Sequence, residues 1–121
     1  MAYRLVGQAN AQIVRIVTES ARRFGLSASE RYYRLMLAAF VHLNNPAVQL
    51  ASTAIRAAPG VRVYRLALAR TLLPPGARVG NPRHLIVYRV ANDGIVEILG
   101  LAHDRMLLSR AVRRMQRVID G

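Results

Sequence analysis

The sequence has no cysteine, no lysine and few acidic residues, and none of its hydrophobic runs is long. Without cysteine, the chain can form neither a disulfide framework nor a thiolate metal site. No apolar run approaches the ~20 residues that a membrane-spanning helix needs. The N-terminus lacks the continuous apolar stretch of a secretory signal. These absences predict a soluble, cytoplasmic protein.

Charge is strongly biased toward one sign. Eighteen basic residues against six acidic ones give a net charge of +12, and every basic residue is an arginine. A guanidinium makes planar, bidentate contacts with carboxylates and phosphates, although arginine-only usage also fits a GC-rich genome. A small protein with this charge attracts polyanions. The composition therefore predicts nucleic acid or an acidic protein as partner. A membrane surface fits less well, because no cationic amphipathic segment dominates.

The length of 121 residues predicts one domain, residues 1–121. With 53% hydrophobic residues, the chain is too apolar for a disordered tail and can bury a core.

The N-terminal half is predicted to be a short strand, Tyr3 to Val6, followed by two helices. Gly25 is placed to end the first helix in a left-handed conformation. Ser27 to Glu30 matches a capping box, which predicts a second helix from about Ala28 to Leu43. The tight connection makes the pair an antiparallel hairpin. The apolar residues at helical spacing are Ile13, Ile16, Val17, Ala21 and Phe24 on the first helix, and Met36, Ala39, Phe40 and Leu43 on the second.

The middle of the chain is harder to interpret. Ala47 to Gly60 fits a short helix or an ordered loop over the sheet, and we favour the helix. Val61 to Ala69 mixes β-branched, aromatic and arginine residues, which predicts a strand. The prolines and glycines between Pro74 and Pro82 indicate a loop.

The C-terminal part is predicted to be a hairpin followed by a helix. His84 to Val90 is nearly all apolar, as expected for a central strand covered on both faces. Asn92-Asp93-Gly94 indicates a hairpin turn, and Ile95 to Ala102 is the returning strand. From Met106 an apolar stripe recurs at helical spacing, with arginines on the other side. The order β-α-α, a three-stranded antiparallel meander and a C-terminal helix predicts an α+β fold.

The hairpin region resembles a known toxin family. Pro82 to Val90 is PRHLIVYRV, the turn Asn92-Asp93-Gly94 follows, and Ile95 to Met106 is IVEILGLAHDRM. This series is similar to the ending of the ParE branch of the ParE/RelE toxins. The helical hairpin resembles the same family, in its Ser-x-x-Glu-Arg-Tyr start at Ser27 and its Asn-Pro stop at Asn45.

The resemblance covers nearly the whole chain and is weakest at 47–60 and 72–81, where this sequence looks longer than a typical member. It implies the toxin of a type II toxin–antitoxin system, acting in the cytoplasm without a cofactor. ParE-type members poison DNA gyrase by protein–protein binding. The implied partner is a cognate antitoxin with an acidic C-terminal segment, in a hetero-oligomer that reaches operator DNA only through the antitoxin.

A ribonuclease of the RelE kind is a competing hypothesis. Relatives that cut messenger RNA on the ribosome place an arginine within the central strand and a His or Tyr near the end of the last strand. Here the central strand is apolar at Leu85 to Tyr88, which argues against this activity. The candidate catalytic residues, if it exists, are His103, Arg83 and Arg89. Two further hypotheses are a non-toxic member that only binds antitoxin and a general nucleic-acid-binding domain.

Several residues have a structural and a functional interpretation. Asp104 suits the N-cap of the last helix, and Arg89 suits an ion pair with Glu97 across the hairpin. No metal site is predicted, because no ligand cluster has useful spacing. Candidate target-binding residues, otherwise a solvated face, are Arg105, Arg110, Arg113, Arg114 and Arg117. Candidate antitoxin-binding residues, otherwise an exposed sheet face or an ion pair, are Tyr64, Arg65, Arg70 and Arg89.

Overall fold

A computed structural model describes residues 3–56, 58–104 and 108–120. The elements, in chain order, are β1 (Tyr3–Leu5), α1 (Ala9–Phe24), α2 (Leu26–His42), α3 (Pro46–Ala51), β2 (Thr53–Ala54), β3 (Val61–Arg65), β4 (His84–Val90), β5 (Val96–His103) and α4 (Leu108–Asp120). Two 3₁₀ segments, Leu66–Leu72 and Pro75–Ala77, lie between β3 and β4. The arrangement is α+β, as the sequence predicts.

The strands form one five-stranded sheet in the order β1-β5-β4-β3-β2. The predicted meander is its centre, since β3 pairs with β4 and β4 with β5, both antiparallel. β1 lies parallel to β5, with Tyr3 opposite Val96. Both edge strands are short, β1 with three residues and β2 with two.

Strand β4 is covered on both faces. Ile86 and Tyr88 pack with the helical hairpin in one apolar cluster, while Val87, between them, packs with α4 in a second cluster. All three side chains have no exposed surface. Alternate residues point to opposite faces of a sheet, so a strand between two helical layers must be apolar throughout. The prediction of a central, doubly covered strand is confirmed.

The two hairpin helices are confirmed, but the expected capping box at Ser27 is wrong. α2 begins two residues earlier than predicted, at Leu26, and Gly25 precedes it with φ +92°. The Ser27 hydroxyl accepts a hydrogen bond from Arg31 rather than from the helix backbone. Ser29 is buried and donates to the Val17 carbonyl at 2.7 Å, which joins the two helices. A single residue, Gly25, connects the two helices, so α2 starts almost directly after α1 ends.

The apolar stripe of α1 is only partly buried. Ile13 is buried, but Phe24 is 68% exposed at the end of the helix. Phe24 therefore does not belong to the core, although its spacing predicts it. α2 matches its prediction, because Met36, Ala39 and Phe40 are all buried.

The segment that follows α2 is a short helix, as favoured, and then a two-residue strand that the sequence did not indicate. Asn45 caps α3 by accepting from the Ala47 backbone N–H at 2.9 Å, and Pro46 occupies the first turn. Arg62 on β3 donates to the Ser52 hydroxyl at 2.8 Å. This contact ties the segment to the sheet.

The predicted strand from Val61 to Ala69 is too long. β3 ends at Arg65, and the chain continues as a 3₁₀ helix in which Leu66 and Ala69 are buried. Side chains three residues apart share one face of such a helix. Burial of this pair against α2 explains the change, which a mixed apolar and arginine pattern does not reveal.

The hairpin turn is confirmed. Gly94 has φ +83° and donates its backbone N–H to the Ala91 carbonyl at 2.8 Å. The Asp93 carboxylate accepts from the Ile95 backbone N–H. The start of the last helix at Met106 falls outside the described residues, and α4 runs from Leu108 with Ala111, Val112 and Met115 buried on the sheet.

Candidate functional site

Helix α4 presents a face of arginines to solvent. Arg110, Arg113, Arg114 and Arg117 are all exposed. None of the four forms an ion pair within the described part of the chain, although every acidic residue is in that part. Residues three, four and seven apart share one side of a helix, so these guanidiniums form a continuous row, called here the α4 arginine face. Arg105, predicted to join them, lies outside the described residues.

Beside this face, an ion-pair network ties α4 to the sheet. The Arg89 guanidinium donates to Glu97 at 2.9 Å and contacts the Asp120 carboxylate at 3.2 Å. Glu97 also lies 3.3 Å from Arg4, which pairs with Asp93 at 2.9 Å. The predicted pairing of Arg89 with Glu97 is confirmed. Hydrogen bonds to Asp120 and Glu97 raise the pKa of Arg89. The charge of Arg89 is thus balanced by these two carboxylates.

The residues expected to bind antitoxin do not form one surface. The expectation that Tyr64 lies on an exposed sheet face is wrong, because its ring is 1% exposed and its hydroxyl bonds to His42 at 2.8 Å. Arg70 is not on the strand but in the 3₁₀ segment, where its Nε donates to the Val79 carbonyl. Arg65 is exposed. Only Arg65 combines exposure with an uncompensated charge.

Two of the three candidate ribonuclease residues lie together. Arg83 Nε contacts the Asp104 carboxylate at 2.8 Å, and His103 Nδ1 lies 3.1 Å from the other oxygen of that carboxylate. Arg89 lies six residues further along β4 from Arg83, about 20 Å away at the rise of a strand. The three residues therefore do not converge on one phosphate. The Asp104 carboxylate lies between Arg83 and His103. Its predicted role as the N-cap of the last helix involves residues outside the described part of the chain.

A histidine and a tyrosine that sequence reasoning missed complete this end of the sheet. His84 is paired across the strands with His103, with ring centroids 5.5 Å apart. The Tyr32 hydroxyl shares a hydrogen bond of 2.6 Å with His84 Nδ1. Burial raises the pKa of Tyr32 to about 12, and burial followed by His103 lowers the pKa of His84. At neutral pH the pair is therefore uncharged. The available signal was a polar residue, His84, directly before the apolar run Leu85 to Tyr88.

These residues form the base of a cleft of about 730 Å³ between the helical hairpin and the loop before β4, called here the hairpin cleft. Its polar lining includes Tyr32, His84 and His103, and Phe24 and Ile16 supply apolar surface. The arginines that line it are Arg15, Arg23, Arg31 and Arg78. Glu19 also lines the cleft, but it is paired with Arg22, and the hydrogen bond from Arg22 lowers the pKa of Glu19.

A comparison with protein families identifies the fold. The family described as "ParE toxin of type II toxin-antitoxin system, parDE" matches residues 3–108. The chain belongs to the ParE toxin family. The resemblance inferred from the sequence is thereby confirmed, as is the ParE/RelE-like arrangement of a helical hairpin and a C-terminal helix on a sheet. The protein is accordingly a toxin of a type II toxin–antitoxin system, and the family implies a cognate antitoxin as partner.

A search of curated proteins found no match to this ParE-family chain. Within residues 3–56, 58–104 and 108–120, no helix is both long enough and apolar enough to cross a bilayer. In the same residues, no group of three or more His, Asp or Glu side chains is placed to hold a metal ion.

Proposed function

We propose that this ParE-family toxin inhibits DNA gyrase by protein–protein binding, through the α4 arginine face, and is neutralised by its antitoxin. The observation that carries the proposal is the row of exposed, unpaired arginines on α4. Arginine is enriched among the residues that dominate binding energy at interfaces. An exposed row of like charges has no structural use of its own, since adjacent like charges on a helix repel.

The packing of α4 supports this role. Its buried face docks on β5, and the Arg89–Asp120 pair holds its C-terminal end. The arginines are therefore presented on an anchored helix rather than on a loop. Preorganised side chains lose less conformational entropy on binding, which favours affinity.

A mechanism without catalysis fits the geometry better than RNA cleavage. The candidate Arg89 is held by two carboxylates and lies far from His103 along the sheet. The α4 arginine face offers charge but no acid–base pair. We therefore propose that the toxin is not an enzyme.

Neutralisation is proposed to depend on an acidic antitoxin segment. The net charge of +12 favours such a partner and accelerates its association. The short edge strands β1 and β2 offer backbone groups to an added strand, one of the common ways in which a domain binds a peptide. Of the residues predicted for this contact, we propose that Arg65, which is exposed, contacts the antitoxin. We further propose a cytoplasmic hetero-oligomer in which the antitoxin contacts operator DNA.

The α4 arginine face is tested by neutralising two of its members. In Arg113→Gln/Arg117→Gln, about tenfold more toxin should be needed to inhibit gyrase supercoiling, the loss expected for interface arginines. The matched control is Arg34→Gln/Arg56→Gln, which removes the same charge from exposed positions on α2 and after β2. Thermal melts establish that both variants fold. Equal potency of the α4 variant and the wild type would place the gyrase contact elsewhere.

A further inference from the structure

We propose that the hairpin cleft is a binding site for a nucleoside phosphate. The cleft is separate from the α4 arginine face, because His84 and Ile86 share the face of β4 that packs against the helical hairpin, and α4 covers the other face. The inference therefore does not depend on the mode of gyrase inhibition.

The size of the cleft suits a small molecule. Its volume of about 730 Å³ falls within the roughly 300–1,000 Å³ typical of ligand sites. The hairpin helices form one wall and residues 78–81 form the other, with the ends of β4 and β5 as the base. These walls belong to ordered helices and strands except at 78–81. A ligand of nucleotide size can thus be enclosed on several sides.

The charge of the cleft selects an anion with several negative oxygens. Four arginines line it, Arg15, Arg23, Arg31 and Arg78, against one carboxylate, Glu19, which pairs with Arg22 and also interacts electrostatically with Arg23. None of the four lies within ion-pair distance of a carboxylate in the described residues. Arg31 donates to the Ser27 hydroxyl and Arg78 to the Leu73 carbonyl, and these neutral acceptors orient the guanidiniums without cancelling their charge. Guanidiniums bind phosphate oxygens in bidentate fashion. A phosphoryl or pyrophosphoryl group supplies the matching negative charge.

An aromatic surface beside these charges favours a ligand with a planar base. Phe24 lines the cleft although it is 68% exposed, and the Arg23 guanidinium lies 5.3 Å from its ring centroid. Nucleobases stack on such rings and on arginine planes. Phe24 is therefore assigned to the base, and the arginines to the phosphates.

The proposal is tested by titrating the purified chain with ADP and GDP in a calorimeter at physiological salt. We expect saturable binding of one nucleotide per chain. Adenosine, which lacks phosphate, should bind about tenfold or more weakly than ADP, since charge-assisted hydrogen bonds carry the affinity. Phe24→Ala should weaken the binding of ADP. The same variant should leave the affinity for pyrophosphate unchanged, because pyrophosphate has no base to stack on the ring.

Arg15→Gln/Arg78→Gln should lower the affinity for ADP by about tenfold or more. Arg34→Gln/Arg56→Gln, with the same net charge and no residue in the cleft, should bind ADP as the wild type does. Equal losses in the two double variants would show that the nucleotide responds only to net charge and would overturn the proposal. The absence of saturable nucleotide binding in a folded sample would also overturn the proposal. So would a titration in which polyglutamate, a probe for an acidic peptide, binds and the nucleotides do not.

Discussion

Two phenylalanines at similar helical spacing have opposite environments. Phe40 is 1% exposed and packs its ring against Tyr3, with centroids 5.2 Å apart, whereas Phe24 is 68% exposed. Phe40→Ala should lower the free energy of unfolding by ~3–5 kcal/mol, because it leaves a cavity in the core. Phe24→Ala, the matched control, should lower it by less than about 1 kcal/mol. Chemical denaturation measures both, and similar losses would contradict the assigned packing of the hairpin.

A glycine in β5 lets two side chains pack closely against the strand. A Cβ added at Gly100 would lie 2.5 Å from the Gln12 side-chain oxygen and 2.8 Å from the Met115 sulfur. That Gln12 oxygen accepts a hydrogen bond from the Leu101 backbone N–H at 2.8 Å. The methyl group of an alanine at this position would therefore disturb both this hydrogen bond and the packing of Met115 of α4 against the sheet. Gly100→Ala should therefore destabilise the fold by about 1–3 kcal/mol.

Gly76 provides the control for this substitution. Nothing lies within 4 Å of a Cβ added there. Gly76→Ala should leave the unfolding free energy unchanged or raise it by up to about 1 kcal/mol, by restricting the unfolded chain. A Gly100→Ala variant as stable as Gly76→Ala in denaturant melts would show that α1 and α4 approach β5 less closely than described.

Half-buried His84 should make stability sensitive to mild acid. Its pKa is lowered by burial, so the unfolded chain takes up a proton first as the pH falls below about 6.5. The stabilisation that neutral His84 contributes is complete above that pH and is lost between about 6.5 and its lowered folded-state pKa. Unfolding free energies at pH 7.5 and 5.0 should therefore differ less in His84→Gln than in the wild type. An equal difference in both proteins would assign the acid sensitivity to other groups.

At the scale of elements, the ion-pair network that anchors α4 contains one largely buried carboxylate, Glu97, and one exposed carboxylate, Asp120. Glu97 lies between Arg4 and Arg89 with 15% of its side chain exposed, whereas Asp120 is 52% exposed. Glu97→Gln should destabilise the fold by about 1–3 kcal/mol, because two guanidiniums lose their shared partner. Asp120→Asn should cost less than about 1 kcal/mol, since solvent screens exposed pairs. The reverse order in urea melts would contradict this view of how α4 is anchored.

An element could be predicted from the sequence when the residues that determine it are neighbours in the chain. β4 and its turn were predictable, because a doubly covered strand must be apolar and Gly94 must adopt positive φ. The parallel pairing of β1 depends on β5, a partner distant in the chain, and β2 is only two residues long, too short to show the alternation of a strand. The 3₁₀ segment after Arg65 depends on burial against α2. Distant partners and tertiary burial leave little trace in a short stretch of sequence.

The same reasoning explains the candidate sites. The arginines of α4 were identifiable because a helical stripe separates exposed from buried positions within one element. The hairpin cleft joins residues from α1, α2, the loop at 78–81 and two strand ends. Tyr32 and His84 are 52 residues apart in the chain. No periodicity brings such residues together, so the cleft became apparent only from the tertiary structure.

At the scale of the whole molecule, charge is divided between two surfaces. Within the described residues, all six acidic side chains except Glu30 lie within ion-pair distance of a basic side chain, and the arginines that contact them include Arg4, Arg22, Arg83 and Arg89. The arginines of α4 and of the hairpin cleft keep their charge for outside partners. A macromolecular target is thus expected on one surface and a small ligand on the other.

The most direct test of gyrase inhibition is a supercoiling and cleavage assay with purified gyrase, the purified chain and ATP, with and without the cognate antitoxin. We expect inhibited supercoiling or accumulated linear plasmid, both reversed by the antitoxin. Full gyrase activity beside a folded toxin would contradict the proposed mechanism. Cleavage of messenger RNA on ribosomes by the same sample would then identify the protein as a ribonuclease.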